Sequence, residues 1–121
     1  MQKSILIYDD DVEILIVCRT ILEMYDFHVA TLENCENIID DIALIKPDLI
    51  LMDLWIPKIG GEKAINLMRG NPLTKDIPVI LFSANDEIEK ISERVNANGY
   101  LKKPFDITVF TQTIEDAVLQ N

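Results

Sequence analysis

Residues 49–53 read Leu-Ile-Leu-Met-Asp, four apolar residues followed directly by a carboxylate. Three further runs end in a similar way: Ile5-Leu6-Ile7-Tyr8 before Asp9-Asp10-Asp11, Val79-Ile80-Leu81-Phe82 before Ser83-Ala84, and Tyr100-Leu101-Lys102 before Lys103-Pro104-Phe105. Continuous apolar runs of this length, rich in Ile, Leu and Val, are typical of strands buried on both faces of a parallel sheet. The functional crevice of such a sheet lies outside the carboxyl ends of its strands. The sequence therefore predicts that carboxylates, a hydroxyl and an ammonium group meet along one edge.

Strand patterns and helix patterns alternate five times along the chain, with no repeat or internal linker. The predicted strands cover Ser4–Tyr8, His28–Leu32, Leu49–Asp53, Pro78–Ser83 and a fifth segment after Asn98-Gly99. Five such units favour one α/β domain over residues 1–121, with helices on both faces of a parallel sheet. The flavodoxin-like strand order 2-1-3-4-5 would place its switch point between the first and third strands, where the aspartates lie.

The helices are predicted from caps and from apolar spacing. Asp11 and Asp106 are predicted to cap the first and last helices. The first helix is expected to bury one face formed by Ile14, Cys18, Ile21, Leu22 and Tyr25. The last helix is expected to bury Ile107, Phe110, Ile114 and Ala117. Pro57 and Gly60-Gly61 are expected to form a turn ahead of the third helix.

Composition narrows the class of function. The 121 residues carry 11 basic and 21 acidic side chains, a net charge of −10, which would be repelled by a nucleic-acid backbone. No apolar run reaches the roughly 18 residues that a membrane span needs, and Asp9 closes the first run too early for a signal peptide. The expectations are a cytoplasmic protein that contacts neither nucleic acid nor membrane. Cys18 and Cys35 are predicted to be reduced, because two cysteines at this spacing form no metal or redox motif.

The predicted edge has the composition of a phosphoryl-transfer site. Three carboxylates held together repel one another unless a cation lies among them, and oxygen ligands suit Mg²⁺. Lys103 would add a positive charge and Ser83 a hydroxyl donor. An aspartate in this setting is a plausible nucleophile toward phosphorus, with an aspartyl phosphate as its product.

Taken together, the motifs resemble the receiver domain of two-component response regulators, of the single-domain, chemotaxis-regulator-like kind. The resemblance covers essentially the whole chain. It rests on the order and spacing of five stretches: residues 5–10, residues 47–53, Ile56-Pro57 with Gly61, residues 77–84 and residues 99–105.

The resemblance implies a role for each site residue. Asp53 would be the phosphoacceptor. Asp10 would be a direct Mg²⁺ ligand and Asp9 would act largely through metal-bound water, with Asp53 and the backbone carbonyl of Trp55 as further ligands. Ser83 would hydrogen-bond the phosphoryl group and Lys103 would form an ion pair with it. Tyr100 would be the switch aromatic, turning inward when Ser83 moves toward the phosphate. A cis peptide bond before Pro104 is also implied.

The resemblance also implies partners. A sensor histidine kinase or a phosphotransfer protein would donate the phosphoryl group. The face formed by the fourth helix, fifth strand and fifth helix would contact a downstream protein, and a phosphorylation-dependent dimer is left open. The domain would catalyse only phosphoryl transfer to, and hydrolysis from, its own Asp53, so it would not be an enzyme acting on other substrates.

Three other functions are alternatives to this one. A receiver that works without phosphorylation, as an interaction module, would have an inert Asp53. A Mg²⁺-dependent phosphohydrolase with an aspartyl nucleophile would need threonine at position 13, where the chain has Glu13. A flavodoxin would need a Ser/Thr-rich phosphate loop after the first strand, and aspartates occupy that place.

Trp55, a large side chain two residues beyond Asp53, is expected to shield the phosphoryl group from water.

Overall fold

The structure, a computed structural model, describes residues 2–56 and 58–119. Strands and helices alternate, and the predicted α/β class is confirmed. The strands are β1 (Ser4–Tyr8), β2 (His28–Leu32), β3 (Leu49–Asp53), β4 (Val79–Ser83) and β5 (Gly99–Lys102). The helices are α1 (Val12–Met24), α2 (Ile38–Ile45), α3 (Gly60–Arg69), α4 (Ile88–Arg94) and α5 (Ile107–Leu119).

All strand pairs are parallel, and the sheet order is β2-β1-β3-β4-β5, as predicted. Every residue of β3 and β4 is buried, which explains why these central strands have no alternation of apolar and polar residues. The switch point between β1 and β3 opens a crevice at the carboxyl ends of those two strands.

Two apolar layers cover the sheet. Helices α2, α3 and α4 pack on the face that carries Leu6, Ile50 and Leu81. Helices α1 and α5 pack on the opposite face, which carries Ile7 and Leu51. This arrangement orients all five strands so that their carboxyl ends, and the residues that follow them, lie along one edge.

The predicted helix caps are confirmed, but two helix faces were predicted wrongly in part. Asp11 accepts hydrogen bonds from the amides of Glu13 and Ile14, and Asp106 accepts one from Val109. In α1 the buried residues are Leu15, Cys18 and Leu22, whereas Tyr25 is the exposed residue that ends the helix. In α5, Ile107 is exposed, while Phe110, Ile114 and Ala117 are buried as predicted.

The sequence also led to expectations about the cysteines, the turn before α3 and membrane-spanning helices. Cys18 and Cys35 are both free and buried, which agrees with the prediction that they are reduced. Pro57, part of the predicted turn, lies outside the described residues. Within the described part of the chain, no helix has both the length and the apolar character needed to span a membrane.

Candidate metal and phosphoryl site

Three carboxylates meet where β1 and β3 end side by side. Asp9 and Asp10 follow β1, and Asp53 is the last residue of β3. One carboxylate oxygen from each residue lies within 4.8 Å of the others. Asp9 and Asp53 are almost fully buried, with 1% and 4% of their surfaces exposed, whereas Asp10 faces solvent. The sequence prediction that these residues converge is correct.

Lys103, which follows β5, extends its side chain across β4 into the same cluster. Its Nζ lies 3.0 Å from Asp9 Oδ2 and 3.4 Å from Asp53 Oδ1. The same Nζ lies 4.4 Å from the centre of the Phe82 ring, within the range of a cation–π contact. The ammonium group is therefore held between two carboxylates and an aromatic face. Lys102 instead points outward and pairs with Asp86, as strand alternation predicts.

The charges in the cluster do not balance by themselves. Burial, together with the negative charge of Asp9, raises the pKa of Asp53 from its ordinary value of 3.8 to about 6, although Lys103 acts in the opposite direction. Burial alone would lower the pKa of Lys103, but hydrogen bonding to Asp9 and the charge of Asp53 outweigh that effect and raise it. One ammonium group thus faces three carboxylates, and an added cation would stabilise their ionised forms.

Asp9 has both carboxylate oxygens engaged. Its Oδ1 accepts a hydrogen bond of 2.9 Å from the amide of Asp11, and its Oδ2 accepts the bond from Lys103. The first contact fixes the turn that leads from β1 into α1. Asp11, by contrast, has its side chain turned to the helix as a cap, as predicted.

Ser83 lies on β4, the strand beside β3. In the register of these strands Asp53 is opposite Phe82, so Ser83 extends one residue further toward the edge. Ser83 is completely buried, and its carbonyl accepts a 2.9 Å hydrogen bond from the amide of Lys103. Its hydroxyl oxygen accepts a 3.2 Å bond from the amide of Asn85.

The turn after β3 approaches the site closely. Gly61 lies so close to the backbone of Asp53 that a Cβ atom at position 61 would come within 2.2 Å of the Asp53 carbonyl oxygen. Its amide also donates to the carbonyl of Leu54 at 3.1 Å. Only glycine fits this position, and it holds the start of α3 against the end of β3. The side chain of Trp55 is 68% exposed, and the ligand role of its carbonyl remains a prediction.

Tyr100 is not part of the cluster. It lies on the edge strand β5, opposite Leu81, with 41% of its surface exposed. This outward position is the one expected of a switch aromatic before it turns inward, and the switch role remains a prediction. The peptide bond between Lys103 and Pro104 is cis, as the resemblance implies.

Three features of the site were missed from the sequence. Phe82 was assigned only to the core, although its ring also faces the ammonium of Lys103. Asn85 was given no role, although its backbone amide donates a hydrogen bond to Ser83 Oγ. Tyr8 was assigned only to an apolar run, although its hydroxyl donates a 2.6 Å hydrogen bond to Asp41 on α2. Burial raises the pKa of Tyr8, and the carboxylate of Asp41 raises it further.

The fold and the site define a small doubly wound α/β protein with a cluster of three carboxylates and a lysine at the carboxyl edge of its sheet. Residues 5–115 match the family model described as the response regulator receiver domain. The chain belongs to that family, as the motifs of the sequence indicated.

Individual relatives agree with this assignment. The chain is 36% identical, over 105 residues, to the phosphate regulon transcriptional regulatory protein PhoB of Pseudomonas aeruginosa, an alignment that covers 85% of the chain and 46% of PhoB. It is 35% identical, over 117 residues, to the nisin biosynthesis regulatory protein NisR of Lactococcus lactis, covering 95% of the chain and 50% of NisR. The chain therefore spans about half the length of these curated relatives.

Solved structures support the fold. A putative response regulator from Chloroflexus aurantiacus superimposes with a TM-score of 0.92 at 23% identity, covering 98% of this chain and 99% of the other. The chemotaxis protein CheY4 of Vibrio cholerae gives a TM-score of 0.87 at 20% identity, covering 97% of this chain and 99% of the other. At these identities the likeness concerns the fold alone.

Proposed function

We propose that this chain is a phosphorylation-controlled switch in which Asp53 accepts a phosphoryl group in a Mg²⁺-dependent reaction. The observation that carries the proposal is the position of Asp53, whose buried carboxylate lies between two further carboxylates and the ammonium of Lys103. Phosphorylation and Mg²⁺ binding are typical of the family to which the chain belongs.

The residues at the edge fit a hard divalent cation. Three carboxylate oxygens within 4.8 Å of one another form an oxygen donor set of the kind that Mg²⁺ prefers. Asp10 and Asp53 would hold the ion directly, with the Trp55 carbonyl, and Asp9 would act through water. When bound, the ion would neutralise charge on the oxygens of the transferred group. Asp10 is exposed and so gives the ion access from solvent.

The transfer itself is a substitution at phosphorus. A carboxylate oxygen of Asp53 attacks the phosphorus of a phosphohistidine, the new P–O bond forms, and the P–N bond breaks with its electron pair returning to the imidazole. Lys103 pairs with the phosphoryl oxygens, and Ser83 donates its hydroxyl hydrogen to one of them. These two groups, both placed by the β4–β5 edge, stabilise the charge of the transferred group in transit.

The donor would be a sensor histidine kinase or a phosphotransfer protein. Phosphorylation would shift a pre-existing equilibrium, with Ser83 and Tyr100 linking the site to the face formed by α4, β5 and α5. That face would bind a downstream protein or a second, phosphorylated copy of the chain. Substitution of Tyr100 should therefore impair output while leaving phosphorylation of Asp53 intact.

The unit that carries this function is proposed to be a single receiver domain over residues 1–121, acting in the cytoplasm. PhoB and NisR are regulatory proteins about twice as long as the matched region. The activity of their unmatched regions is not proposed for this chain. Direct contact with nucleic acid is not proposed for this chain, since its net charge is −10. Catalysis is proposed to be confined to the aspartyl phosphate of Asp53.

A binding titration tests the proposal. Trp55 is the chain's only tryptophan and lies two residues beyond Asp53, so its fluorescence reports on the site. Beryllofluoride, a mimic of an acyl phosphate, should change that fluorescence saturably only when Mg²⁺ is present. Asp53→Asn should abolish the change. A wild-type protein that binds Mg²⁺ but not beryllofluoride would instead favour the receiver that works without phosphorylation.

A further inference from the structure

The side chain of Lys103 reaches the carboxylate cluster by passing over Phe82. Phe82 is the strand partner of Asp53 in the β3–β4 pair, and paired residues of neighbouring strands present their side chains on the same face of a sheet. Lys103 follows β5, on the other side of β4. A lysine that spans from β5 to β3 on this face therefore crosses position 82, and its Nζ lies 4.4 Å from the centre of the Phe82 ring.

The Phe82 ring is held in place by two further rings. Phe82 is completely buried, and its ring centre lies 6.5 Å from that of Phe105, with the two planes tilted by 51°. Phe105 stacks on Phe110 of α5 at 5.0 Å, with the planes 12° apart. Phe110 is also completely buried. This aromatic row (Phe82, Phe105 and Phe110) runs from the ammonium to the packed face of α5, so packing fixes the ring face that Lys103 contacts.

An aromatic face differs from other apolar surfaces in its effect on a nearby charge. The Lys103 side chain is only 22% exposed, and an aliphatic side chain beneath the ammonium would displace water without any compensating attraction. The negative face of a phenyl ring attracts the cation instead. Because the Phe82 side chain has no oxygen or nitrogen, it does not compete as a hydrogen-bond acceptor. The N–H groups bonded to Asp9 and Asp53 thus remain available to the oxygens of a phosphoryl group.

We propose that Phe82 is a positioning residue for Lys103, and that its ring face holds the ammonium at the carboxylate cluster both before and after Asp53 is phosphorylated. The inference rests on the proposed function and adds to it the residue that orients its cation. Because Phe82 acts through Lys103, its effect falls on the binding of the phosphoryl group and not on the carboxylates that would hold the metal ion.

Fluorinated phenylalanines separate the electrostatic role of the ring from its role in packing. Fluorine atoms withdraw electron density from the ring face and change its size little, so successive fluorines weaken the attraction for a cation in steps. Phenylalanines with one, two or three fluorines are incorporated at position 82 of the full chain. The matched control is the same series at position 110, which lies in the same aromatic row and is equally buried. Phe82→Leu, which keeps an apolar side chain without an aromatic face, is a second test variant.

Three properties of each protein are measured, after circular dichroism has established that it is folded. Trp55 fluorescence follows the binding of Mg²⁺ alone and the binding of beryllofluoride in saturating Mg²⁺. Carbon–proton NMR follows the Cε methylene group of Lys103, because protons above an aromatic face resonate upfield of their usual position.

Each added fluorine at position 82 should weaken beryllofluoride binding, by about threefold or more with three fluorines, and Phe82→Leu should weaken it to a similar extent. Mg²⁺ affinity should not fall in any of these proteins. The series at position 110 should leave both affinities unchanged. In the wild type the Lys103 methylene signal should lie upfield of those of the other lysines, and Phe82→Leu should remove that shift.

A beryllofluoride affinity that stays constant through the series at position 82, or falls equally in the series at position 110, would overturn the inference. A parallel loss of Mg²⁺ affinity would also overturn it, because a general loosening of the core would produce that result. A wild type that does not bind beryllofluoride in Mg²⁺ would overturn the proposed function, and the inference with it. The wild-type titration separates these two failures.

Discussion

Replacement of Asp53 by asparagine should stabilise the metal-free protein, because the folded structure disfavours the ionised form of the Asp53 carboxylate. Burial and the nearby charge of Asp9 raise the Asp53 pKa from 3.8 to about 6. A difference of this size corresponds to about 3 kcal/mol, since each pKa unit is worth about 1.4 kcal/mol. Allowing for water that enters the site, we expect Asp53→Asn to raise the free energy of unfolding by about 1 to 3 kcal/mol at pH 8.

The effect has a definite dependence on pH. Because the pKa of Asp53 is higher in the folded state than in the unfolded state, the folded state binds the extra proton between about pH 4 and pH 6. The stability of the wild type relative to Asp53→Asn is therefore greatest below pH 4, falls as the pH rises through 6, and stays low above it. The advantage of Asp53→Asn should grow over the same window.

Urea unfolding in the presence of a chelator, at intervals from pH 4 to pH 8, measures this difference directly. Comparing the two proteins across pH cancels any constant effect of the amide group. Asp40→Asn, which changes an exposed carboxylate on α2, is the matched control and should show less than about 0.5 kcal/mol of pH-dependent difference. Mg²⁺ should stabilise the wild type more than Asp53→Asn and so reduce the gain.

Two results would refute the reasoning. A loss of stability in Asp53→Asn at pH 8 would mean that its pairing with Lys103 outweighs the repulsion from Asp9. A gain of equal size at pH 4 and pH 8 would mean that the effect does not come from the charge of Asp53.

Three further predictions concern neighbouring side chains. Lys103→Met should raise Mg²⁺ affinity by about threefold or more, because it removes an ammonium held between two carboxylates, and it should slow phosphorylation. A Trp55 fluorescence titration with Mg²⁺ measures the affinity, and the rate of adduct formation measures phosphorylation. Unchanged or weaker Mg²⁺ binding would contradict the argument. Trp55→Ala should shorten the lifetime of the phosphorylated protein if the indole shields the site, and an unchanged decay, followed by mass, would remove that role. Arg94→Gln should lower the free energy of unfolding only slightly, because it removes an exposed bidentate pair with Glu62. In urea unfolding, the reversed pair, Glu62→Arg with Arg94→Glu, should recover part of that loss.

The sequence was sufficient to predict the fold, because buried parallel strands have a recognisable apolar sequence pattern. Strands β3 and β4 are buried at every position, so their sequences are unbroken apolar runs that stop at a polar residue. Parallel strands share an edge at their carboxyl ends, and the convergence of Asp9, Asp53 and Lys103 followed from topology alone.

The helix faces were harder to predict from the sequence. Helix α1 carries apolar side chains at exposed positions, including Val12, Ile16 and Val17, so its buried face is not distinguished by polarity. Leu15 was missed for that reason. In α5, Ile107 is apolar but lies in the first turn, where it is exposed rather than packed on the sheet.

The contacts within the site depend on distances that a one-dimensional pattern does not contain. The sequence placed Lys103 at the edge, but which carboxylate it pairs with follows from the geometry, which puts Asp9 closer than Asp53. The same applies to the ring of Phe82 beside the ammonium and to the bond between Asn85 and Ser83. These are contacts between strands and loops that the chain brings together only on folding.

Intact mass after incubation with a small acyl-phosphate donor tests the central claim most directly. Wild-type protein and Asp53→Asn are each treated with and without Mg²⁺, and the reaction is quenched within seconds as well as after minutes to capture a short-lived adduct. The account predicts a single phosphoryl adduct that forms only on the wild type and only with Mg²⁺. An adduct that persists in Asp53→Asn or without Mg²⁺, or the absence of any adduct with the donor and with a histidine kinase, would contradict it.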